Sequence, residues 1–147
     1  SWRLVAVDLS AAALRVAARN AAKHGVADRI AFVESDFAEP ETAWHGAFDA
    51  VVSNPPYIPE EEWRGLEPEV RDHEPKRALV PGPTGNEAYE VIVRAAAAML
   101  RPGGLLALEL GWKSEEPVRA TVGSSGFNEI AVKPDLQGIP RVLTARR

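Results

Sequence analysis

The chain has 147 residues, 46% hydrophobic and 26% charged, with a formal net charge of −4. That length and balance fit one globular domain with a real core and exclude a disordered or fibrous chain. With no cysteine there is no disulfide framework or thiolate metal site, and the acidic balance weighs against direct contact with nucleic acid.

Leu4 to Val7 is a short continuous apolar run closed by Asp8, the pattern of a buried parallel strand with an acid at its carboxyl end. Ser10 is placed to cap a helix whose Leu14, Ala17, Ala18 and Ala21 share one face. Lys23 and His24 fall in its last turn and Gly25 is its stop. Ile30 to Val33 predicts the next strand, which delivers Glu34-Ser35-Asp36-Phe37 at its end and brings a second acid to the same rim as Asp8. Ligands of parallel α/β sheets bind beyond the carboxyl ends of the strands, so two acids there point to a nucleoside. Asp8 offers two acceptor oxygens to a ribose diol, and Asp36 can accept from an adenine amino group while Phe37 covers the ring. A strand-end Asp also serves as a turn or cap residue, and Phe37 also suits a core.

Glu39 to Gly46 is a polar connection, and Phe48 to Ser53 predicts a third strand. Directly after it stands Asn54-Pro55-Pro56-Tyr57. A residue before proline is pushed out of the helical region, and the two prolines have fixed φ and no N–H. The loop is therefore a rigid, acceptor-rich edge. It suits a planar amide or amine with two N–H groups, which the Asn54 side-chain oxygen and the Pro55 carbonyl accept while Tyr57 stacks on its face. The bland alternative is a proline-rich turn that only ends a strand.

Residues 58–83 are rich in proline and charge, and a connection this long inside a compact domain is more often a lid or binding loop than a spacer. Thr84 or Asn86 is placed to cap a helix with Ala88, Val91, Ile92, Ala95, Met99 and Leu100 on one face, broken by Arg101-Pro102-Gly103-Gly104. Leu105 to Leu110 reads as a buried strand, with Glu109 left without a role. Ser114 caps a helix carrying Val118 and Val122, and Phe127 to Lys133 and Arg141 to Ala145 form a closing antiparallel pair. His24, His45 and His73 have no paired-ligand spacing, so no metal is expected. No stretch is long and apolar enough for a bilayer and no signal-peptide pattern is seen, which leads us to expect a cytoplasmic protein with no membrane partner.

With these residues placed, the chain resembles the PrmC/HemK family of S-adenosylmethionine-dependent methyltransferases, which methylate a glutamine side-chain nitrogen in peptide chain release factors. The carriers are Ala6-Val7-Asp8, Ser35-Asp36-Phe37, Ser53-Asn54-Pro55-Pro56-Tyr57-Ile58, Glu74-Pro75 with Ala78-Leu79, Leu100 to Gly104, and Glu109-Leu110-Gly111. The tetrapeptide is a signature of amino methyltransferases, and the Glu-Pro segment points to the glutamine-directed group. The resemblance implies an α/β, Rossmann-like class I methyltransferase sheet with helices on both faces. It also implies S-adenosylmethionine as cofactor, S-adenosylhomocysteine as product and no metal. Asp8 would hold the ribose, Asp36 and Phe37 the adenine, and Asn54 would sit beside the sulfonium methyl. Asn54, Pro55, Pro56 and Tyr57 would bind the substrate amide, with Asn54, Pro55 and Tyr57 serving the chemistry. The protein substrate would be a release factor carrying a Gly-Gly-Gln motif.

The departures are at the front. The family's first strand and glycine-rich loop are not found in this sequence, and Gly85, Gly103 and Gly104 surround a different helix and do not replace them. The family's helical amino-terminal domain is also not found, and His73 stands where an aromatic is more usual. We therefore expect residues 1–147 to be an amino-terminally truncated, partial catalytic domain with a lid at about 58–83. Such a chain would have a gap between the strands Leu4 to Val7 and Phe48 to Ser53 and would be inactive alone. The alternatives are an adenine N6-methyltransferase acting on nucleic acid, and a catalytically silent fragment of the fold.

Overall fold

A computed structural model describes residues 2–147. The chain divides into two compact units, residues 1–40 and 41–147.

In the first unit, strand β1 (Leu4–Asp8), helix α1 (Ala11–Lys23), a 3₁₀ turn (Ala27–Arg29) and strand β2 (Ile30–Glu34) form a β-α-β element. The strands pair in parallel from Leu4 opposite Ile30 to Asp8 opposite Glu34. Ser10 caps α1 as expected, its Oγ accepting the Ala13 N–H at 3.2 Å. At the other end Gly25 turns with φ 67°, and the Gly25 and Val26 N–H groups donate to the carbonyls of Ala22 and Ala21. This satisfies the last helical carbonyls in the manner that favours glycine. The expected buried strand is not found here. Leu4 is exposed and Val5, Ala6 and Val7 are half-buried, while on α1 only Ala21 is fully buried. Among the described residues β1 has no ladder on its second edge, so the apolar run has little to bury against.

The second unit holds β3 (Phe48–Ser53), α2 (Pro68–Arg71), α3 (Glu87–Met99), β4 (Leu100–Glu109), α4 (Glu115–Ser124), β5 (Asn128–Pro134) and β6 (Pro140–Arg146). Its sheet has the order β3-β4-β6-β5, with β3 and β4 parallel and β6 antiparallel to both of its neighbours. The closing antiparallel pair is thus as expected. Leu106 and Leu108 alternate inward along β4 and are fully buried, with Leu110 just beyond it, Leu143 of β6 and Val118 and Val122 of α4. On α3 the buried arc runs through Tyr89, Val93 and Ala96, with Ile92, Ala95 and Met99 beside it. Expected members Ala88 and Val91 are only half-buried. The face is rotated and widened because α3 packs against α4 as well as β3 and β4.

One boundary and one cap differ from the sequence reading. The strand expected from Leu105 begins at Leu100 and runs through the supposed break. Phe48 and Ala50 of β3 lie opposite Leu100 and Leu105, so Arg101 to Gly104 bulge out of the ladder instead of ending it. Gly103, at φ 77°, donates its N–H to the Arg147 carbonyl at 2.7 Å. Ser114 precedes α4, but its side chain makes no capping hydrogen bond.

Candidate functional site

In the first unit both acids lie at the carboxyl rim of a parallel strand pair. Asp8 ends β1, and its carbonyl accepts the Ser35 N–H at 3.3 Å, which draws the segment after β2 to that rim. Asp8 and Asp36 are exposed and Phe37 is half-buried. Each acid has a local duty, as the turn alternative anticipates. Asp8 Oδ1 accepts the Ser10 N–H at 2.7 Å, and Asp36 Oδ1 accepts the Ala38 N–H at 2.8 Å. One oxygen of each carboxylate is thereby oriented by the backbone, and the other oxygen has no partner among the described residues.

In the second unit Asn54-Pro55-Pro56-Tyr57 leaves the carboxyl end of β3. With Ile58, Ala78 and Leu79 it lines a cleft of about 80 Å³. Pro55 is buried, Pro56 and Tyr57 are half-buried, and Asn54 is exposed at the rim. Neither the Asn54 side chain nor the Pro55 carbonyl bonds to another described residue, so both acceptors remain available.

The long segment after the tetrapeptide is not plain coil. It carries a 3₁₀ helix at Glu60–Gly65, the short α2 and a 3₁₀ turn at Lys76–Ala78. Its two ends are stitched together. The Ile58 N–H donates to the Leu79 carbonyl at 2.9 Å, the Glu60 N–H to the Gly82 carbonyl at 3.1 Å, and Pro59 and Gly82 form a parallel bridge. Lys76 donates to Glu60 at 2.7 Å and lies 6.0 Å from the centre of the Trp63 ring. The Lys76 hydrogen bond and charge hold the Glu60 carboxyl below its usual value.

Tyr57 is held by two glycines that sequence reading missed. At Gly85, with φ 80°, an added Cβ would lie 2.5 Å from the Tyr57 carbonyl oxygen. At Gly111 an added Cβ would lie 2.7 Å from the Tyr57 ring carbons Cγ and Cδ2. In the sequence Gly111 stands out only as part of Glu109-Leu110-Gly111, and Gly85 only as a glycine unsuited to the cofactor loop. Before α3, the Glu87 carboxylate accepts the Thr84 N–H at 2.8 Å and the Thr84 hydroxyl at 2.9 Å. Burial acts to raise the Glu87 carboxyl, but the Thr84 N–H leads a set of hydrogen bonds that outweigh it, and the net shift is downward.

Comparison with known proteins agrees with this architecture. A family profile described as a methyltransferase domain matches residues 1–73. The release factor glutamine methyltransferase of Chlorobaculum tepidum is 49% identical over 144 residues, which is 97% of this chain and 48% of that protein. The release factor glutamine methyltransferase of Geobacter sulfurreducens is 40% identical over 144 residues, 98% of this chain and 49% of that protein. Among solved structures, a methyltransferase from Pyrococcus furiosus superposes with a TM-score of 0.67 at 17% identity, covering 98% of this chain and 62% of that one. The 1,6-didemethyltoxoflavin-N1-methyltransferase of Burkholderia thailandensis, with bound S-adenosylhomocysteine, gives 0.58 at 17% identity, covering 99% and 61%. The fold and the profile define a class I methyltransferase domain.

Within that class, the chain is similar to release factor glutamine methyltransferases along nearly all of its own length. It spans about half the length of the curated relatives it matches.

Proposed function

We propose that the protein carrying this chain transfers a methyl group from S-adenosylmethionine to the side-chain amide nitrogen of a glutamine in the Gly-Gly-Gln motif of peptide chain release factors. The observation that carries this reading is the cleft after β3, where a rigid turn presents two unengaged acceptors beside a fixed aromatic ring. The acceptors match the two N–H groups of a primary amide, and the ring of Tyr57 matches its flat face. The relatives' shared description supplies the substrate class.

The first unit fits the adenosine part of the cofactor. Asp8 and Asp36 each keep an unpartnered carboxylate oxygen on one strand-end rim, suited to the ribose hydroxyls and the adenine amino group, and Phe37 offers an aromatic surface beside them. When bound, S-adenosylmethionine supplies an electrophilic methyl group on a sulfonium and leaves as S-adenosylhomocysteine. The protein's own task is set by the nucleophile. An amide nitrogen is weak because its lone pair is delocalised into the carbonyl, and acceptance of its N–H groups by Asn54 Oδ1 and the Pro55 carbonyl raises its electron density. Pro55 and Pro56 fix these acceptors, and Tyr57 holds the amide plane. Alignment of this kind can supply up to roughly 7 to 11 kcal/mol of barrier reduction. Residues 58–83 would act as a lid over the cleft, which Ala78 and Leu79 already line, and so exclude water. We read residues 1–147 as part of a catalytic domain working in the cytoplasm.

The test is mass spectrometry of a release factor's Gly-Gly-Gln peptide after incubation with the full-length protein and S-adenosylmethionine. A gain of one methyl group on the glutamine is expected. An unmodified glutamine, with or without methyl transfer to adenine in DNA, would reject the reading.

A further inference from the structure

We infer that the buried hydroxyl of Tyr89 positions Tyr57 through Gly111, which makes Tyr89 a positioning residue for the substrate amide; this rests on the function proposed above. Tyr89 lies on α3 and is fully buried, yet its hydroxyl does not idle in the core. It donates to the Glu109 carbonyl at 2.9 Å and accepts the Gly111 N–H at 3.0 Å. One hydroxyl therefore fixes both sides of the point where the chain leaves β4. A buried tyrosine needs only one partner to be satisfied, so spanning Leu110 in this way constrains the backbone path of the exit.

That path matters because of what backs onto it. Gly111 is not required for its backbone conformation, since its φ lies outside the left-handed region. It is required for space. A Cβ there would stand 2.7 Å from two ring atoms of Tyr57 and 2.9 Å from its Cβ. The Gly111 backbone is thus the wall against which the Tyr57 ring rests, and the other end of Tyr57 is blocked by Gly85 at the carbonyl. The ring rests on one backbone and the Tyr57 carbonyl on another, and the backbone beneath the ring is held by Tyr89. Burial raises the Tyr89 phenol above its ordinary value, which favours the protonated hydroxyl that makes both bonds.

The chain of contacts predicts coupling. Tyr89→Phe keeps the ring and removes only the two hydrogen bonds, and Gly111→Ala pushes the Tyr57 ring from the same side. In the full-length protein each should lower kcat for glutamine methylation about tenfold while cofactor affinity changes less than about twofold. In a Tyr57→Ala background, neither change should add more than about twofold, because the ring they position is gone. Full losses persisting in that background would overturn the inference. A second readout needs no activity. Hydrogen exchange of the Gly111 amide should accelerate at least about tenfold in Tyr89→Phe, and the Tyr57 ring-proton shifts should move in both variants. Unchanged Tyr57 shifts would also overturn it. If the wild-type protein methylates no glutamine but the ring shifts still respond, the proposed substrate falls and the positioning stands. If it methylates normally and the cycle is additive, the reverse holds.

Discussion

The two units solve the problem of presenting a polar group at a strand end in opposite ways. In residues 1–40 the acids Asp8 and Asp36 are oriented by their own turns, each by one hydrogen bond from a backbone N–H two residues on, and among the described residues of that unit only Ala21 is buried. In residues 41–147 the tetrapeptide is oriented from outside, by glycines and a buried tyrosine belonging to other elements, over a packed leucine core. Local turns suffice to aim a carboxylate at a hydroxyl. An aromatic ring that must meet the flat face of an amide has no such local device, and only tertiary packing fixes it.

The most forceful way to break this comparison is through the cores. Leu108→Ala, at a fully buried site, should cost about 2–5 kcal/mol of unfolding free energy, while Leu4→Ala, at a strand position more than half exposed, should cost less than about 1 kcal/mol, both read by urea titration. Equal losses would show that the first unit is better packed than its exposure implies.

The site residues sharpen the contrast next. In the full-length protein Asn54→Ala should lower kcat for glutamine methylation about a hundredfold with little change in cofactor affinity. Asp8→Ala should weaken S-adenosylmethionine binding about tenfold, measured by calorimetry. A loss of cofactor binding in Asn54→Ala equal to that in Asp8→Ala would dissolve the division of labour.

The smallest expected effect is at Glu87, which draws the Thr84 turn onto the start of α3. Its folded value lies below the ordinary 4.5, so its stabilisation is fully present above pH 4.5 and is lost as pH falls through the lower folded value. Glu87→Gln should cost about 1 kcal/mol at pH 7 and flatten the acid limb of the stability curve. An unchanged acid limb would show that the carboxylate contributes nothing.

The same contrast explains what the sequence could and could not reveal. Strand β3, α1 with its Ser10 cap and Gly25 stop, and the β5–β6 pair were legible because each follows from neighbours a few residues apart. The tetrapeptide was legible because two prolines after an asparagine constrain the backbone by themselves. Tyr89 was not, because its role lies in bonds to residues 20 and 22 positions away, and a tyrosine on a helix reads only as part of a face. Gly111 was hidden for the same reason, since nothing in its own neighbourhood shows that a ring will rest on it. The start of β4 was misplaced because Pro102-Gly103-Gly104 resembles a breaker, while the bonds of Gly103 and Gly104 to Arg147 hold it as a bulge. The burial of β1 was overestimated because an apolar run states a preference, and the surface that would satisfy it must come from elsewhere.

The position of β6 bears on how the molecule is made. Among the described residues β5 has no ladder to β4 and joins the sheet through β6, which follows it in the chain and lies between them. During synthesis β3 and β4 can pair as soon as both have emerged, but β5 waits as an unpaired ribbon until residues 140–146 follow it. The sheet of the second unit is therefore closed by β6, which inserts between two strands made before it.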